Sequence, residues 1–281
     1  MKIIKDPFEM QSFSLERKKG GRSIALVPTM GYFHEGHLSL MKTGRKEGDL
    51  LVVSNFVNPT QFSPNEDLED YPRNFDKDVK DAEQIPVDVM FAPSVEEMYG
   101  KDFRTYVEVE GWGKRLCGVS RPTHFRGVST VVLKLFNIVQ PNAAVFGWKD
   151  AQQFLILRKM VVDLNLPIKM IGGEIVREPD GIAMSSRNKY LTPPERKQAT
   201  VISRSLFRVK EMIEKEGVTD TEQLKQFISD RINQTGTGKT DYVEIVSIDS
   251  IEPLETVEKG NTLIAVAARF GKARLIDNIR Y

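Results

Sequence analysis

The sequence predicts an α/β protein, with a doubly wound, mostly parallel sheet followed by a smaller α+β unit. Through the first two-thirds of the 281 residues, short apolar segments rich in β-branched residues alternate with helical patterns, which is typical of a parallel sheet covered by helices. Beyond residues 179–181 (Pro-Asp-Gly), helical patterns come first and strand patterns follow. We therefore predict a first domain at residues 1–176 and a second domain at residues 177–281.

The elements of the first domain follow from their residue types. A helix is predicted near residues 7–18, with Asp6 as its N-cap and Pro7 in its first turn. Strands are predicted at residues 23–29, 50–56, 87–92, 143–146 and 168–175. Further helices are predicted from residue 37 onwards and at residues 75–83, 127–139 and 150–164. Residues 128–139 are apolar on nearly all sides, so that helix is expected to be buried.

The second domain has a different pattern. Helices are predicted at residues 193–216 and 221–233, and strands at residues 242–248, 263–270 and 273–277. The segment 236–240 (Gly-Thr-Gly-Lys-Thr) resembles the end of a P-loop, but Asn233 stands where the motif needs its first glycine. The segment also leads from helix to strand, whereas a P-loop leads from strand to helix. We interpret it as an exposed connection.

Composition narrows the class of partner. The chain has 40 basic and 39 acidic residues, so its net charge of +1 gives no support to binding of nucleic acid or membranes, and small-molecule substrates are expected. The single cysteine, Cys117, excludes an internal disulfide and is interpreted as a packed residue. No signal peptide and no run of about 18 apolar residues is found, so a cytoplasmic location is expected.

Two of the three histidines lie in the turn after the first predicted strand, where residues 30–37 read Met-Gly-Tyr-Phe-His-Glu-Gly-His. A helix that starts there offers free N–H groups and the positive end of its dipole, and both suit a phosphate. His34 and His37 project to the same side, and the dipole disfavours their protonated forms, so each can donate a neutral N–H to phosphate. Gly36 lacks the Cβ that would keep a triphosphate away from the backbone.

Core packing and zinc binding are the alternatives for the two histidines. A zinc site needs more ligands, and the sequence offers one cysteine and no helix-borne His-Glu-x-x-His pattern. Phosphate contact is the favoured interpretation.

Two clusters of polar residues lie between residues 55 and 78. Residues 55–62 alternate amides with apolar side chains, which suits a pocket for a small polar molecule, with a turn built by Asn and Pro as the alternative. The acidic residues from Glu66 to Asp78 offer carboxylates for Mg²⁺ on a triphosphate, although a charge run is more often a solvated face. Asp67 and Asp78 belong to this second cluster.

Two further clusters carry positive charge. Residues 146–153 again run from a strand through a glycine to the start of a helix. Lysine is unfavourable as a capping residue at the N-terminus of a helix, so Lys149 is expected to bind a phosphate. Ser185, Ser186 and Arg187 lie on a loop at the predicted domain junction. Such a loop can close over phosphates and stabilise charge on a leaving pyrophosphate, whereas a flexible linker is the alternative.

Five motifs in order closely resemble those of the pantothenate synthetase (pantoate–β-alanine ligase) family; they lie at residues 28–37, 58–62, 121–127, 146–150 and 184–188. The histidine motif alone would indicate only the wider nucleotidyltransferase superfamily, which includes class I aminoacyl-tRNA synthetases. The last motif looks like that superfamily's lysine-methionine-serine-lysine-serine loop. The resemblance covers essentially the full chain, and it implies a Rossmann-like catalytic domain followed by a C-terminal lid domain.

The resemblance also implies which residues contact each substrate. ATP would be bound by Met30, Gly31, Tyr32, Phe33, His34, Glu35, Gly36, His37, Gly147, Trp148, Lys149, Asp150, Val176, Met184, Ser185, Ser186 and Arg187. The catalytic residues would be His34, His37, Lys149, Ser185, Ser186 and Arg187, with His37 as the general acid. Pantoate would be held by Gln61 and Gln153, and β-alanine by Gln61. Tyr71 and Asp78 match positions near the phosphates and the metal, whereas Trp148 stands where glutamate is frequent.

The implied reaction has two steps. The carboxylate of (R)-pantoate attacks the α-phosphorus of ATP, and β-alanine then attacks the resulting pantoyl adenylate to give (R)-pantothenate and AMP, a step toward coenzyme A. The family also implies Mg²⁺ with ATP, and a homodimer. Two alternatives are another adenylyltransferase that moves AMP onto a phosphorylated acceptor, and a degenerate nucleotide-binding module retained for protein interaction.

Overall fold

The computed structural model describes residues 1–63, 66 and 68–281, so Asp67 of the predicted acidic cluster lies outside the described residues. Contacts divide the chain into two compact units. The first unit comprises Met1–Lys114, Gly118–Gly147 and Ile156–Glu174. The second unit comprises Arg115–Cys117, Trp148–Leu155 and Ile175–Tyr281. Two short segments from earlier in the sequence therefore belong to the second unit, together with the long carboxyl-terminal stretch.

A parallel sheet forms the centre of the first unit. Its strands are β1 (Lys2–Ile4), β2 (Ile24–Thr29), β3 (Leu50–Asn55), β4 (Val89–Phe91), β5 (Ala143–Gly147) and β6 (Lys169–Gly173). The order across the sheet is β1-β4-β3-β2-β5-β6, and every paired neighbour is parallel. From β2, the next strands along the chain, β3 and β4, are added on one side of the sheet. Strands β5 and β6 are then added on the other side of β2. The carboxyl ends of β2 and β5 thus flank the switch point, where sheets of this kind bind ligands.

Helices accompany this sheet as the alternating pattern predicts. They are α1 (Pro7–Lys19), α2 (Glu35–Gly44), α3 (Phe75–Glu83), α4 (Val95–Met98), α5 (Cys117–Ser120), α6 (His124–Val139) and α7 (Ala151–Asp163). Helix α6 is buried along most of its length, as its apolar sequence predicts. Met41 of α2 and Ala82 of α3 pack with alternate residues of β2 and β3 in one core. Strand β1 and helix α4 were not predicted, because elements of three and four residues show no periodicity.

The second unit contains a separate antiparallel sheet. Its strands β7 (Gly238–Ser247), β8 (Thr262–Phe270) and β9 (Ala273–Arg280) pair in that order. Helices α8 (Pro193–Ala199), α9 (Val201–Glu216) and α10 (Thr221–Asn233) contribute to a core with this sheet. The predicted α+β architecture is therefore confirmed.

Two details of the second unit correct the sequence analysis. The single helix predicted at residues 193–216 is interrupted at Thr200, whose hydroxyl donates a hydrogen bond to the carbonyl of Lys197 at 2.9 Å and so competes with the helical pattern. Strand β7 begins at Gly238, so Lys239 and Thr240 lie in a strand and not in a connection. Among the described residues, no helix is both long enough and apolar enough to cross a membrane.

Candidate active site

One buried carboxylate holds the turn between β2 and α2. Gly31 and Tyr32 have positive φ angles of 79° and 53°, a conformation that tyrosine adopts only where its surroundings impose it. Asp78, which is 1% exposed, accepts hydrogen bonds from the backbone N–H groups of Tyr32 at 2.8 Å and Phe33 at 2.7 Å. It also accepts one from Nδ2 of Asn55 at 2.9 Å. Hydrogen bonds to a charged acceptor are the stronger kind, so Asp78 fixes the backbone of the turn.

The two histidines of the turn contact each other directly. His34 is the N-cap of α2, and its backbone N–H donates a hydrogen bond to Nδ1 of His37 at 3.3 Å. The two ring centroids are 4.1 Å apart. Because Nδ1 of His37 is an acceptor, the proton of its neutral ring lies on Nε2. Nε2 is therefore the atom through which His37 can donate to a ligand.

Gly36 has a local reason to be glycine. A Cβ at this position would lie 2.9 Å from both Cε1 and Nδ1 of the His34 ring. This space was predicted to admit a triphosphate, whereas in the structure the imidazole of His34 lies against it.

The side-chain amide of Gln61 is held by neighbours on both sides. Its Nε2 donates to Sδ of Met30 at 3.0 Å, and its Oε1 accepts from Nδ2 of Asn58 at 3.0 Å. Nδ2 of Asn58 also donates to the carbonyl of Gly127 at 3.2 Å, while Oδ1 accepts from the hydroxyl of Tyr99 at 2.8 Å. Burial raises the pKa of Tyr99, which keeps this hydroxyl a donor. Gln61 is 7% exposed, so the network fixes a buried amide.

The third histidine holds the backbone of Gln61. Nδ1 of His124 lies 2.8 Å from the Gln61 carbonyl, and its Nε2 lies 3.1 Å from Nη1 of Arg121. A neutral His124 with its proton on Nδ1 satisfies both contacts. Arg121 also forms a two-pronged pair with Glu66, at 2.8 and 2.6 Å. Burial pushes the pKa of Glu66 upward, but the hydrogen bond and charge of Arg121 outweigh it, so this pKa lies below its usual range.

Tyr99 and His124 are functional neighbours that the sequence analysis did not assign. Tyr99 carried no motif signal, because its contact with Asn58 joins residues 41 positions apart. His124 belongs to the motif at residues 121–127, which ends at Gly127. Close packing against the backbone of Thr60 explains why this last residue is glycine. A Cβ on Gly127 would lie 2.3 Å from the carbonyl oxygen of Thr60.

In the second unit, the turn at residues 148–150 precedes α7. Nζ of Lys149 lies 3.2 Å from Oδ2 of Asp150, and the Lys149 side chain is 22% exposed. Trp148 is buried, its ring centroid lies 4.6 Å from that of Phe154, and the guanidinium of Arg280 stacks over it at 4.3 Å. The departure at Trp148 is therefore absorbed by packing inside this unit.

Gln152 and Gln153 follow this turn on α7. Gln152 is buried, accepts a hydrogen bond from the backbone N–H of Cys117 at 3.0 Å, and donates one to the carbonyl of Arg115 at 2.7 Å. Gln153, the predicted pantoate ligand, is half-buried. Cys117 is buried with its Sγ 3.2 Å from the hydroxyl of Tyr242, in agreement with a packed residue.

Hydrogen bonds hold the serine loop, which carries Ser185, Ser186 and Arg187. Oγ of Ser185 accepts a hydrogen bond from the backbone N–H of Arg187 at 3.3 Å. The buried Asn188 donates through Nδ2 to the carbonyl of Ala183 at 3.1 Å and to Oε1 of Glu178 at 2.5 Å. These contacts tie the loop to the preceding hairpin, which is formed by residues 176–184, and this argues against a flexible linker.

The predicted site residues divide between the two units. The first unit holds Met30, Gly31, Tyr32, Phe33, His34, Glu35, Gly36, His37, Gln61, Asp78 and Gly147. The second unit holds Trp148, Lys149, Asp150, Gln153, Val176, Met184, Ser185, Ser186 and Arg187. Val176 and Met184 face each other across the hairpin, where the N–H of Met184 donates to the carbonyl of Val176 at 2.9 Å. Tyr71 is buried and stacks edge-on against Phe62.

The family model described as pantoate-beta-alanine ligase matches residues 2–280. The chain belongs to the pantoate–β-alanine ligase family. It is 52% identical over 279 residues to the pantothenate synthetase of Acetivibrio thermocellus, with 99% of each chain covered. A solved pantothenate synthetase from Thermus thermophilus has 41% identity and a TM-score of 0.93, covering 100% of this chain and 99% of that one.

A third relative is a pantoate–β-alanine ligase from Francisella tularensis, whose structure was solved in complex with β-γ ATP and β-alanine. It has 34% identity and a TM-score of 0.79, and the match covers 100% of this chain and 97% of that one. Membership in the pantoate–β-alanine ligase family confirms the resemblance found in the five motifs. It also favours this activity over another adenylyltransferase.

Proposed function

We propose that this protein condenses (R)-pantoate with β-alanine at the expense of ATP, giving (R)-pantothenate, AMP and pyrophosphate through pantoyl adenylate. The observation that carries the proposal is the turn at the switch point of the sheet, where Asp78 holds the backbone that presents His34 and His37. This turn stands in a chain that matches the pantoate–β-alanine ligase family over residues 2–280.

The first step joins pantoate to AMP. The pantoate carboxylate oxygen forms a bond to the α-phosphorus, and the bond from that phosphorus to the β-phosphate oxygen breaks, which releases pyrophosphate. The N-terminus of α2 and the ring N–H of His34 stabilise the phosphates. Nε2 of His37 donates a hydrogen bond to the pyrophosphate as its charge develops, and His37 is set up for this role by the hydrogen bond that its Nδ1 accepts.

Four further side chains act on the same step in this proposal. Lys149, Ser185, Ser186 and Arg187 offer an ammonium, two hydroxyls and a guanidinium to the phosphates and to the pyrophosphate as its charge develops. None of these groups becomes covalently attached to the substrate. Catalysis therefore consists of positioning and charge stabilisation.

Gln61 and Gln153 bind the organic substrates. The amide of Gln61 is fixed by Asn58 and Met30, so it offers an oriented donor and acceptor to the hydroxyl and carboxylate groups of pantoate. β-Alanine approaches Gln61 for the second step. Its neutral amine attacks the activated carbonyl, the amide bond forms, the acyl–phosphate bond breaks, and AMP leaves.

Mg²⁺ enters with ATP in this proposal. Among the described residues, no three His, Cys, Asp or Glu side chains group as metal ligands. Mg²⁺ on nucleotides needs only one or two carboxylates besides the phosphates and water, so this chain is compatible with it. Asp78 is the candidate carboxylate, although its oxygens already accept three hydrogen bonds. When bound, Mg²⁺ neutralises phosphate charge. The proposal also includes a homodimer and a cytoplasmic location.

Release of AMP tests the proposed function. Purified protein is supplied with ATP and Mg²⁺, and with pantoate and β-alanine separately and together. Rapid AMP release is expected only with both, and exchange of labelled pyrophosphate into ATP is expected with pantoate alone. Exchange that needs no pantoate would support another adenylyltransferase, and absence of exchange and AMP release under all conditions would support a degenerate binding module.

A further inference from the structure

Strand β9 contacts the turn that carries Lys149. Asn278 is 3% exposed, and its Nδ2 donates hydrogen bonds to the carbonyl oxygens of Trp148 at 2.8 Å and Lys149 at 3.2 Å. One side-chain amide thus binds two successive carbonyls of the turn at residues 148–150. These contacts fix the backbone from which the Lys149 ammonium projects.

The preceding residue of the same strand holds a different segment. Asp277 is 4% exposed and forms a two-pronged ion pair with Arg177, with distances of 2.6 and 3.0 Å. Nη1 of Arg177 also donates to the carbonyl of Gly181 at 3.1 Å, and Arg177 pairs with Ala183 across the hairpin. This hairpin leads directly into Ser185. Ser185 and Asp277 line one common cavity.

We propose that Asp277 and Asn278 are positioning residues, which together set the turn of Lys149 and the loop of Ser185 to Arg187 for one phosphate chain. Successive side chains of a strand point to opposite faces, so β9 can hold both segments at once. The inference rests on the proposed function, because it assumes that Lys149 and the serine loop bind phosphate.

The contacts of Asn278 suit this role. The amide of Asn278 is uncharged, and its Nδ2 binds two backbone carbonyls, so its contribution passes through the position of Lys149. A displacement of about 1 Å in a group that stabilises charge can cost about a hundredfold in rate. Since Lys149 is assigned to pyrophosphate departure, the loss is expected in adenylation and not in attack by β-alanine.

The test is Asn278→Ala, with Asn261→Ala as the control. Asn261 lies in the same unit, where its Nδ2 binds Glu258 and its Oδ1 accepts from Ser247. Pantoate-dependent exchange of pyrophosphate into ATP is expected to fall tenfold to about a hundredfold in Asn278→Ala, while conversion of supplied pantoyl adenylate with β-alanine stays within about twofold. If Asn278→Ala does not fold, Asn278→Ser, which retains a smaller donor, carries the same test with an intermediate loss.

Two results would overturn the inference: exchange in the Asn278 variant that matches the control, or equal losses in both half-reactions, which indicate a general structural defect. Absence of pantoate-dependent exchange in the unmodified protein would overturn the proposed function, and this inference with it.

Discussion

The backbone N–H of His34 donates to Nδ1 of His37, so the two histidines of the turn have different positions and different roles. His34 caps α2, whereas His37 has one ring nitrogen engaged and its proton on the other. This asymmetry is the structural basis for assigning to His37 the hydrogen bond that its Nε2 donates to the pyrophosphate. It depends on the Asp78 carboxylate, which sets the backbone just before His34.

Gly36→Ala should separate stability from activity. Alanine is favoured over glycine within a helix by about 0.5–1 kcal/mol, which opposes the cost of moving the His34 ring, so the melting temperature should change little. The new Cβ would lie 2.9 Å from the His34 ring and displace it, so kcat/KM for ATP should fall about tenfold or more. Lys46→Ala, at an exposed position just beyond the same helix, is the control. Full activity of Gly36→Ala would contradict the importance of the His34 ring position.

Asp78→Asn should lower both stability and ATP binding. Asparagine keeps one acceptor and turns an NH₂ group toward backbone donors, so the unfolding free energy should fall by about 2–4 kcal/mol in urea titrations. The KM for ATP should rise, and added Mg²⁺ should not restore it. Asp76→Asn, which changes an exposed residue of the same helical turn, is the matched control. Unchanged stability with full rescue by Mg²⁺ would instead identify Asp78 as chiefly a metal ligand.

Lys149→Ala should slow adenylate formation far more than it weakens ATP binding. Loss of one charge-stabilising donor commonly costs about a hundredfold to a thousandfold in rate. Single-turnover measurements with pantoate and ATP give the adenylation rate, and Lys159→Ala on an exposed face of α7 is the control. An unchanged adenylation rate would contradict a role of Lys149 in the first step.

Glu66→Gln should change stability in a pH-dependent way. Arg121 holds the pKa of Glu66 in the folded protein below 4.5, the ordinary value that applies in the unfolded chain. At a pH between the folded-state pKa and 4.5, the unfolded chain therefore binds more protons than the folded protein, and stability rises with pH. The ion pair should contribute about 1 kcal/mol above pH 4.5, and this contribution should vanish as the pH falls through the folded-state pKa. Urea unfolding from pH 3 to pH 7, with Glu69→Gln as the control, measures the difference. A pH-independent difference would show that Glu66 acts through packing.

The fold could be predicted because its determinants are local. Alternating apolar and amphipathic segments revealed β2, β3, β5 and α6, and the position of the histidine turn after β2 placed it at a ligand-binding edge. The interruption at Thr200 was missed because the apolar period continues through it. A single hydrogen bond, from the Thr200 hydroxyl to the carbonyl of Lys197, marks the interruption of the helix.

The supports of the site could not be predicted, because they join residues distant in sequence. Asp78 holds Tyr32 from 46 positions away, and Asn278 holds Trp148 from 130 positions away. Neither contact leaves a periodic pattern or a short motif. Motifs identified residues that can face a ligand, whereas the structure identifies the residues that hold them.

Transfer of oxygen from pantoate tests the central claim, formation of pantoyl adenylate, most directly. Pantoate labelled with ¹⁸O in both carboxylate oxygens is converted with ATP and β-alanine, and the products are analysed by mass spectrometry. Attack by the carboxylate on the α-phosphorus predicts one ¹⁸O in each AMP, one in the new amide and none in pyrophosphate. AMP without label, or label in inorganic phosphate, would contradict the account.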